Sequence, residues 1–524
     1  MYGQLQTVGV FVLENEVFDG YTLFSPSTSN ETYLIDNCGR LINSWSFTSR
    51  PGLASYLQPD GSLYRAGQLS NGQIHGGGAG GLIERFDWDN QLIWNYTYST
   101  AQYRAHHDFQ VLPNGNILLL AWELKTKSEA IENGRDSSKL RDNSLWPEHI
   151  VEIEPIGINT GLIVWEWHVW DHLIQDFDDS KKNYGIVSDH PEKINLNYIR
   201  PEFDGRDWLH ANSIHYNEEL DKILISVFNF DEVWIIDHSI TTEEAAGEKG
   251  DLLFRWGNPQ TYGMGTPEDK KLFGQHSAHW INQGLPDENK ILIFNNGVDR
   301  PDSLFSQVVK IDPLFENGMY GKNSINTFLP DDFYWIYQAD PPTNFYSRFM
   351  SGAQQLPNGN ILVDDGAHGT FFELNEKFEK VWEYVNPVTI FGIATQGEEV
   401  INPDGQAYNT VFRATKYAET YPAFIGKNLS PQDPIELKPD LSLCSISSTD
   451  DSNNSGVSLY PNPTTDFFII EGISGSYNLI NLMGKSVLSG QIENRQEIDI
   501  NNLKSGLYTL IIEDKLSMKV LVLN

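Results

Sequence analysis

Positive charge is scarce in this chain. Lys and Arg number 36 against 71 Asp and Glu, a formal charge of −35 over 524 residues. Such a surface repels a polyanion at long range, which excludes nucleic acid as a partner. An anionic substrate needs a local positive pocket inside this negative field. Cysteine is nearly absent: Cys38 and Cys444 alone cannot build a zinc cluster or a disulfide framework. One bridge between the two ends of the large domain and two unpaired thiols both stay open. No run of about 18 apolar residues exists, so no transmembrane segment is expected. Met1 to Gln6 shows no basic stretch leading into an apolar one. The expectation is that the signal peptide is absent from this chain because it has been cut off.

Strand and turn formers are plentiful. Gly 43, Trp 14, Tyr 23 and Phe 27 favour a β-rich chain. A loose repeat organises it. An apolar strand meets a Pro-Asn-Gly-Asn turn and continues as a second apolar strand, in Phe109-Gln-Val-Leu-Pro-Asn-Gly-Asn-Ile-Leu-Leu-Leu120 and again in Gly352-Ala-Gln-Gln-Leu-Pro-Asn-Gly-Asn-Ile-Leu-Val363. Ala54-Ser-Tyr-Leu-Gln-Pro-Asp-Gly-Ser-Leu-Tyr64 is a cousin, and Ser213 to Ile225 and Ala278 to Phe294 are degenerate copies. Asn-Gly and Asp-Gly are strong hairpin signals because their turn residues take positive φ.

Each hairpin is followed by an apolar strand and a Trp-bearing one, as in Leu82-Ile-Glu-Arg-Phe-Asp-Trp88 with Leu92-Ile-Trp94 and in Phe371-Phe-Glu-Leu374 with Lys380-Val-Trp382. Two hairpins make a four-stranded blade, which cannot bury both faces alone, so blades must stack in a ring. Blades are expected near 51–100, 107–167, 210–257, 276–338 and 349–385, with a sixth joining Tyr21 to Phe47 to a closing strand at Thr410 to Tyr417. The fold class expected is all-β: a six-bladed β-propeller followed by a small C-terminal β-sandwich. The domains read as propeller at 1–426, linker at 427–456 and a C-terminal unit at 457–524. Insertions at 126–147 and 168–207 interrupt the pattern, and Val169 to Phe177 is expected as a short helix.

The C-terminal unit carries Leu459-Tyr-Pro-Asn-Pro-Thr464, a Met483-Gly-Lys485 turn and Ser505-Gly-Leu-Tyr508. In that order these motifs resemble the type A sorting domain of the type IX secretion system of Bacteroidetes. The resemblance implies export with the secretion machinery as partner through 457–524, and a secreted or outer-surface protein.

Histidines are the candidate chemistry. His107, His210 and His276 start first strands of blades, and His368 follows the second strand of the last blade. In a propeller the first strands line the central channel, so such residues converge on one mouth. Asp207-Trp-Leu-His-Ala-Asn-Ser-Ile214, Trp234-Ile-Ile-Asp237, Phe254-Arg-Trp-Gly257, Phe273-Gly-Gln-His276, Ile293-Phe-Asn-Asn-Gly297 with Arg300, and Leu356-Pro-Asn-Gly-Asn-Ile-Leu362 together resemble the aryl-sulfate sulfotransferase family. That resemblance implies transfer of a sulfuryl group from an aryl sulfate to a phenol through a sulfohistidine, with no metal and no cofactor. A neutral imidazole is a competent nucleophile near neutral pH. Other imidazoles exchange protons with the departing and incoming phenols, and an arginine fork holds the sulfuryl oxygens. Carried over, His210, His276 and Arg300 match the family's channel groups and His368 takes the nucleophile's place by chain order. His107, Asn212 and Asn296 are expected to touch substrate. The strand after His210 departs from the family by ending in Ser226-Val-Phe228, where many relatives carry a basic residue.

Other features read more plainly. His168 and His172 have the spacing of helical zinc ligands but no third ligand nearby. Gly76 to Gly81 lacks the Lys-Ser/Thr of a phosphate loop and reads as a turn or a close backbone approach near the channel. Asp176, Asp178 and Asp179 read as a solvated cluster, and Trp208, Trp234, Trp256 and Trp382 as inter-blade core. A quinone-dependent dehydrogenase would need a calcium-binding acidic set that the blades lack. The competing function is a non-catalytic secreted binding propeller at the cell surface, since fold alone does not choose.

Overall fold

The computed structural model describes residues 6–140, 142–201, 205–401, 407–446, 457–462, 464–481, 485–504, 506–512 and 516–522. The polar run Ser447 to Ser455 and residues 483–484 of the C-terminal turn lie outside them. The chain divides into two compact units, residues 1–443 and 444–524. Both cysteines are disulfide-bonded, so neither is a free thiol.

The first unit is all-β. Among the described residues it contains six antiparallel sheets of four strands or more. Their inner strands are Arg50–Leu57, Tyr103–Val111, Ala211–Asn217, His276–Trp280, Gly352–Gln355 and Val411–Ala418. Each sheet then runs outward in chain order, except that Val411–Ala418 pairs with Gly20–Pro26 from the other end of the unit. Gly9–Leu13, which the repeat did not announce, adds a fifth strand to the sheet of Gly352–Gln355 by pairing with Lys380–Val385. Each inner strand contacts the next, and Val411–Ala418 contacts both Gly352–Gln355 and Arg50–Leu57.

The hairpin turns repeat one chemistry. Leu112 N–H donates to Asn116 O (2.8 Å), Leu356 N–H to Asn360 O (2.9 Å) and Gln58 N–H to Ser62 O (2.8 Å). In each turn the Asn114, Asn358 or Asp60 side chain accepts the N–H two residues on. The intervening glycine takes a left-handed φ, +88° at Gly115, which closes a tight hairpin at little steric cost.

Tryptophans on the fourth strand of each sheet, counted outward from the inner strand, tie one sheet to the next. Trp45 Nε1 donates to Asp87 O, Trp94 to Thr160 O, Trp165 to Ile240 O, Trp256 to Pro330 O and Trp382 to Asn37 O, at 2.6–2.9 Å. On the remaining sheet, Trp335 packs edge-on against Phe378. The indole buries a large apolar body while its N–H finds a carbonyl. Between neighbouring sheets lie apolar layers such as Leu224, Phe254, Trp280, Ile293 and Ile311, each side chain contributing about 1.5–3 kcal/mol on burial.

The expected helix at Val169 to Phe177 is not there. Val169–Asp171 forms one 3₁₀ turn and Leu173–Ile174 then pairs in parallel with Ile194–Asn195. His172, stacked on Trp167 and bonded to Asp251 (2.9 Å), pins the chain before a second helical turn can form. Part of the stretch expected as linker pairs with the first unit: Pro434 bridges to Arg40 and Leu437 to Thr395. In the second unit two antiparallel sheets, of three and four strands, share a core that includes Phe468, Ile470, Leu479, Ile498 and Leu510. No helix among the described residues is long and apolar enough to cross a membrane.

Candidate functional site

At the end of the inner strands opposite the Asn-Gly turns, the ladder breaks in a repeated way. Leu53, His107, His210, Ser277 and Ser351 take left-handed φ of +92°, +50°, +51°, +54° and +80°. Register irregularities accompany those at Leu53, His107, His210 and Ser277. Each such residue costs about 1 kcal/mol, and strain of this kind persists where the surrounding structure fixes it. Two of these residues, His107 and His210, belong to a cluster of histidine rings at this end, the mouth.

Three imidazoles meet there. The His107 and His210 rings lie 4.6 Å apart, and Phe228 stands between His210 and His276 at 5.5 Å from each. Each ring is held through Nδ1. His107 Nδ1 lies 2.8 Å from His106 Nδ1, His210 Nδ1 lies 2.5 Å from Asp207 Oδ2, and His276 Nδ1 lies 2.9 Å from Asn296 Oδ1. The Asp207 carboxylate and the Asn296 amide oxygen fix an Nδ1–H tautomer on His210 and His276, whereas the His106–His107 contact admits donation in either direction. Asp207 is itself oriented by Trp122 Nε1 (2.8 Å).

The glycine run approaches these rings closely. A Cβ on Gly78 would fall 2.1 Å from His107 Cε1 and Nε2, and His107 N–H donates to Gly78 O (2.7 Å). Below the mouth, Arg413 donates to Asp108 Oδ2 (2.9 Å) and to the Tyr56 hydroxyl, while its Nε is buried without a partner.

The rings differ in proton affinity. Burial pushes His276 down to about 3 despite its bond to Asn296, and Arg413 adds repulsion. Burial likewise holds His107 well below the usual histidine value, with His210, His106, His276 and Arg413 adding to the effect. Burial acts downward on His210 too, but the charge and hydrogen bond of Asp207 outweigh it and the net shift is upward. The mouth thus pairs two neutral imidazoles with one that holds a proton more readily.

The other expected residues lie differently. His368 sits in the turn after Ile361–Asp365, its Nδ1 2.9 Å from both Asp365 oxygens. Arg300 stacks on Phe273 and Phe305 and donates to Phe305 O and Gln307 Oε1. Asn296 is occupied by His276, Ser347 O and Met350 O. Asn212 donates to Gln275 O, leaving its Oδ1 buried and unpartnered. His168 and His172 face different partners, Glu123 with Glu166 and Asp251. A cavity of 1170 Å³ opens at the opposite, Asn-Gly end, lined by His215, Trp280 and Asn114 among others, away from the imidazoles.

Asp207, His106, Glu148 and Arg413 escaped the sequence reading as site residues. Asp207, three residues before His210 in a quoted motif, offered a signal; Arg413 offered none.

A family model described as Arylsulfotransferase (ASST) matches residues 29–400, and one described as Secretion system C-terminal sorting domain matches 458–523. The latter indicates secretion. No curated protein matches the chain. Among solved structures, a protein of unknown function from Bacteroides caccae is 12% identical, covering 71% of this chain and 95% of its own, at a TM-score of 0.39. A catalytically inactive virginiamycin B lyase from Staphylococcus aureus is 10% identical, covering 72% and 87%, at 0.33. A streptogramin B lyase is 10% identical, covering 79% and 94%, at 0.35. Likenesses this shallow carry no weight for function.

Proposed function

Because the chain belongs to the arylsulfotransferase family, whose model spans residues 29–400, we propose that it moves a sulfuryl group from an aryl sulfate to a phenol through a sulfohistidine at the mouth described above. The observation that carries this reading is the trio His107, His210 and His276, brought together with each ring held through Nδ1. A neutral imidazole can take the sulfuryl group. His210, backed by Asp207, is suited to exchange protons with the phenols. Arg300 is the expected clamp on the sulfuryl oxygens, and Arg413 adds a second cation whose charge reaches His107 and His276. His368, favoured by chain order, enters the test as the alternative carrier. The reading treats the six sheets as blades of one propeller over 1–426, 427–456 as the connection, and the two sheets of 457–524 as a sorting-domain sandwich that engages the secretion machinery.

The test incubates the purified chain with para-nitrophenyl sulfate, with and without phenol, alongside single alanine variants of His107, His210, His276, His368 and Arg300. Phenol-dependent nitrophenolate release is expected, lost on His210→Ala and His276→Ala. Peptide mapping of protein quenched without acceptor identifies the sulfated histidine. No release across a panel of donors and acceptors overturns the reading in favour of a secreted binding protein.

A further inference from the structure

Behind the mouth, His107 leads into buried groups that sulfuryl transfer as read above leaves unused. His107 Nδ1 lies 2.8 Å from His106 Nδ1, and His106 Nε2 lies 2.6 Å from Glu148 Oε2. The His106 and Glu148 side chains have no solvent exposure. The line is also rigid. His106 stacks on Trp122 at 3.9 Å with an 11° interplanar angle. Glu148 Oε1 accepts the Ala211 N–H at 2.8 Å, on the residue that follows His210.

We propose that His107, His106 and Glu148 form a proton relay that takes the acceptor phenol's proton at His107 Nε2 and stores it on Glu148. The substrate named here rests on the sulfotransferase reading; the relay geometry does not. In the empty relay Glu148 is a carboxylate accepting from His106 Nε2–H. His106 Nδ1 accepts from His107 Nδ1–H, which leaves the His107 Nε2 lone pair, beside the side-chain-free Gly78, to take a proton. When the phenol proton binds Nε2, the Nδ1 proton of His107 passes to His106 Nδ1. The Nε2 proton of His106 then passes to Glu148 Oε2. The phenol oxygen forms the new O–S bond, the N–S bond of the sulfohistidine breaks, and its electron pair returns to that nitrogen. The donor half-reaction runs the relay backward: His107 Nε2–H protonates the departing phenolate and Glu148 returns its proton. One proton enters and one leaves per cycle.

Neither imidazole becomes an imidazolium in this scheme, which suits their surroundings. Burial pushes His106 down to about 3, Asp207 opposing and His210 and Arg104 assisting. Burial holds His107 low as well, with His210, His276 and Arg413 facing it. Burial and the neighbouring Asp207 hold the Glu148 carboxyl well above the usual carboxylate range, the Ala211 N–H and His210 acting the other way. A proton delivered at Nε2 therefore finds its resting place on the carboxyl.

Glu148→Gln tests this in the full chain. The Ala211 N–H keeps the amide oxygen, so the amide NH₂ must face His106 Nε2. That reverses both tautomers and leaves His107 locked as Nε2–H, as a carboxylate-to-amide change does in a serine triad. The first-turnover burst from para-nitrophenyl sulfate should persist, since nitrophenolate leaves without a proton; with this donor the wild-type relay gives its proton from His107 Nε2 to water before phenol is deprotonated. Steady transfer to phenol should fall by about 10²- to 10⁴-fold, and Glu148→Asp should recover part of it. A loss of burst and transfer in equal measure means a structural role and overturns the relay. Nitrogen-15 spectra of histidine-labelled protein read the relay without any turnover. Wild type should exchange between a bare and a protonated His107 Nε2 on one protonation, with no imidazolium, and Glu148→Gln should show the protonated form throughout. An ordinary imidazolium titration of His107, or an unchanged tautomer in the variant, refutes the relay. Failure of all donors with these spectra as expected refutes the sulfotransferase reading alone.

Discussion

Gly78→Ala isolates the role of the glycine run. The added Cβ would lie 2.1 Å from two His107 ring atoms, where ordinary contact begins near 3.4 Å, so the ring must retreat by about the difference, roughly 1.3 Å. Gly78 has φ +78°, and alanine there costs about 1 kcal/mol in backbone strain. Overpacking adds about 1–3 kcal/mol if the ring resists. A shift of about 1 Å in a reacting group is worth roughly 10²-fold in rate. The variant should therefore lose about 1–4 kcal/mol of stability in a denaturant titration, yet lose about 10²-fold in phenol-dependent nitrophenolate release. Gly77→Ala is the control: its Cβ would meet His210 Cε1 at 3.7 Å, an ordinary contact, and both measures should stay near wild type. Diethyl pyrocarbonate labelling of His107, read by mass spectrometry, reports ring displacement without turnover. A folded Gly78→Ala protein with wild-type turnover and labelling would falsify the placement of His107 at the reacting centre.

Two further outcomes follow from the charges. Asp207→Asn removes the group that raises His210, so the His210 titration, followed by its ring proton resonances, should move to lower pH. A folded value above the unfolded one means the His210–Asp207 contribution is full below the unfolded value of about 6.5 and is lost as pH rises through the folded value. The stability gap between wild type and Asp207→Asn should narrow in that direction; a gap that widens toward alkaline pH sinks the assignment. Glu232 and Arg255, both fully buried and 2.6 Å apart, make a second test. Glu232→Ala strands the guanidinium and should cost about 3–5 kcal/mol in chemical denaturation, whereas a loss under 1 kcal/mol would mean that Arg255 finds another counter-ion.

Much of the architecture was legible in the chain. The Asn-Gly hairpins stand where Pro113-Asn-Gly-Asn116 and Pro357-Asn-Gly-Asn360 predict, because a left-handed glycine and an Asx side chain fix the turn locally. The joining of Val411–Ala418 to Gly20–Pro26 was legible too, since a stack of four-stranded units leaves one strand group incomplete at each end. Gly9–Leu13 was not, because an added edge strand needs no repeat of its own. The 3₁₀ turn at Val169–Asp171 shows tertiary contacts overriding local preference, His172 being drawn to Asp251 across 79 residues of sequence.

The site divides along the same line. Strand order and turn spacing are local, so sequence alone placed His210 and His276 at the start of inner strands and His107 on one; His107 falls midway along Tyr103–Val111 rather than at its start, because that strand continues past the bulge. Sequence could not decide what stands behind each ring. Asp207 comes from the 168–207 insertion, Glu148 from the third strand of the His107 sheet, and Arg413 from the far end of the unit. It equally could not show that Arg300 folds back on Phe273 and Phe305, or that His368 turns to Asp365. Those outcomes belong to packing between sheets, where residues distant along the chain compete for the same buried space, and only the tertiary structure settles that competition.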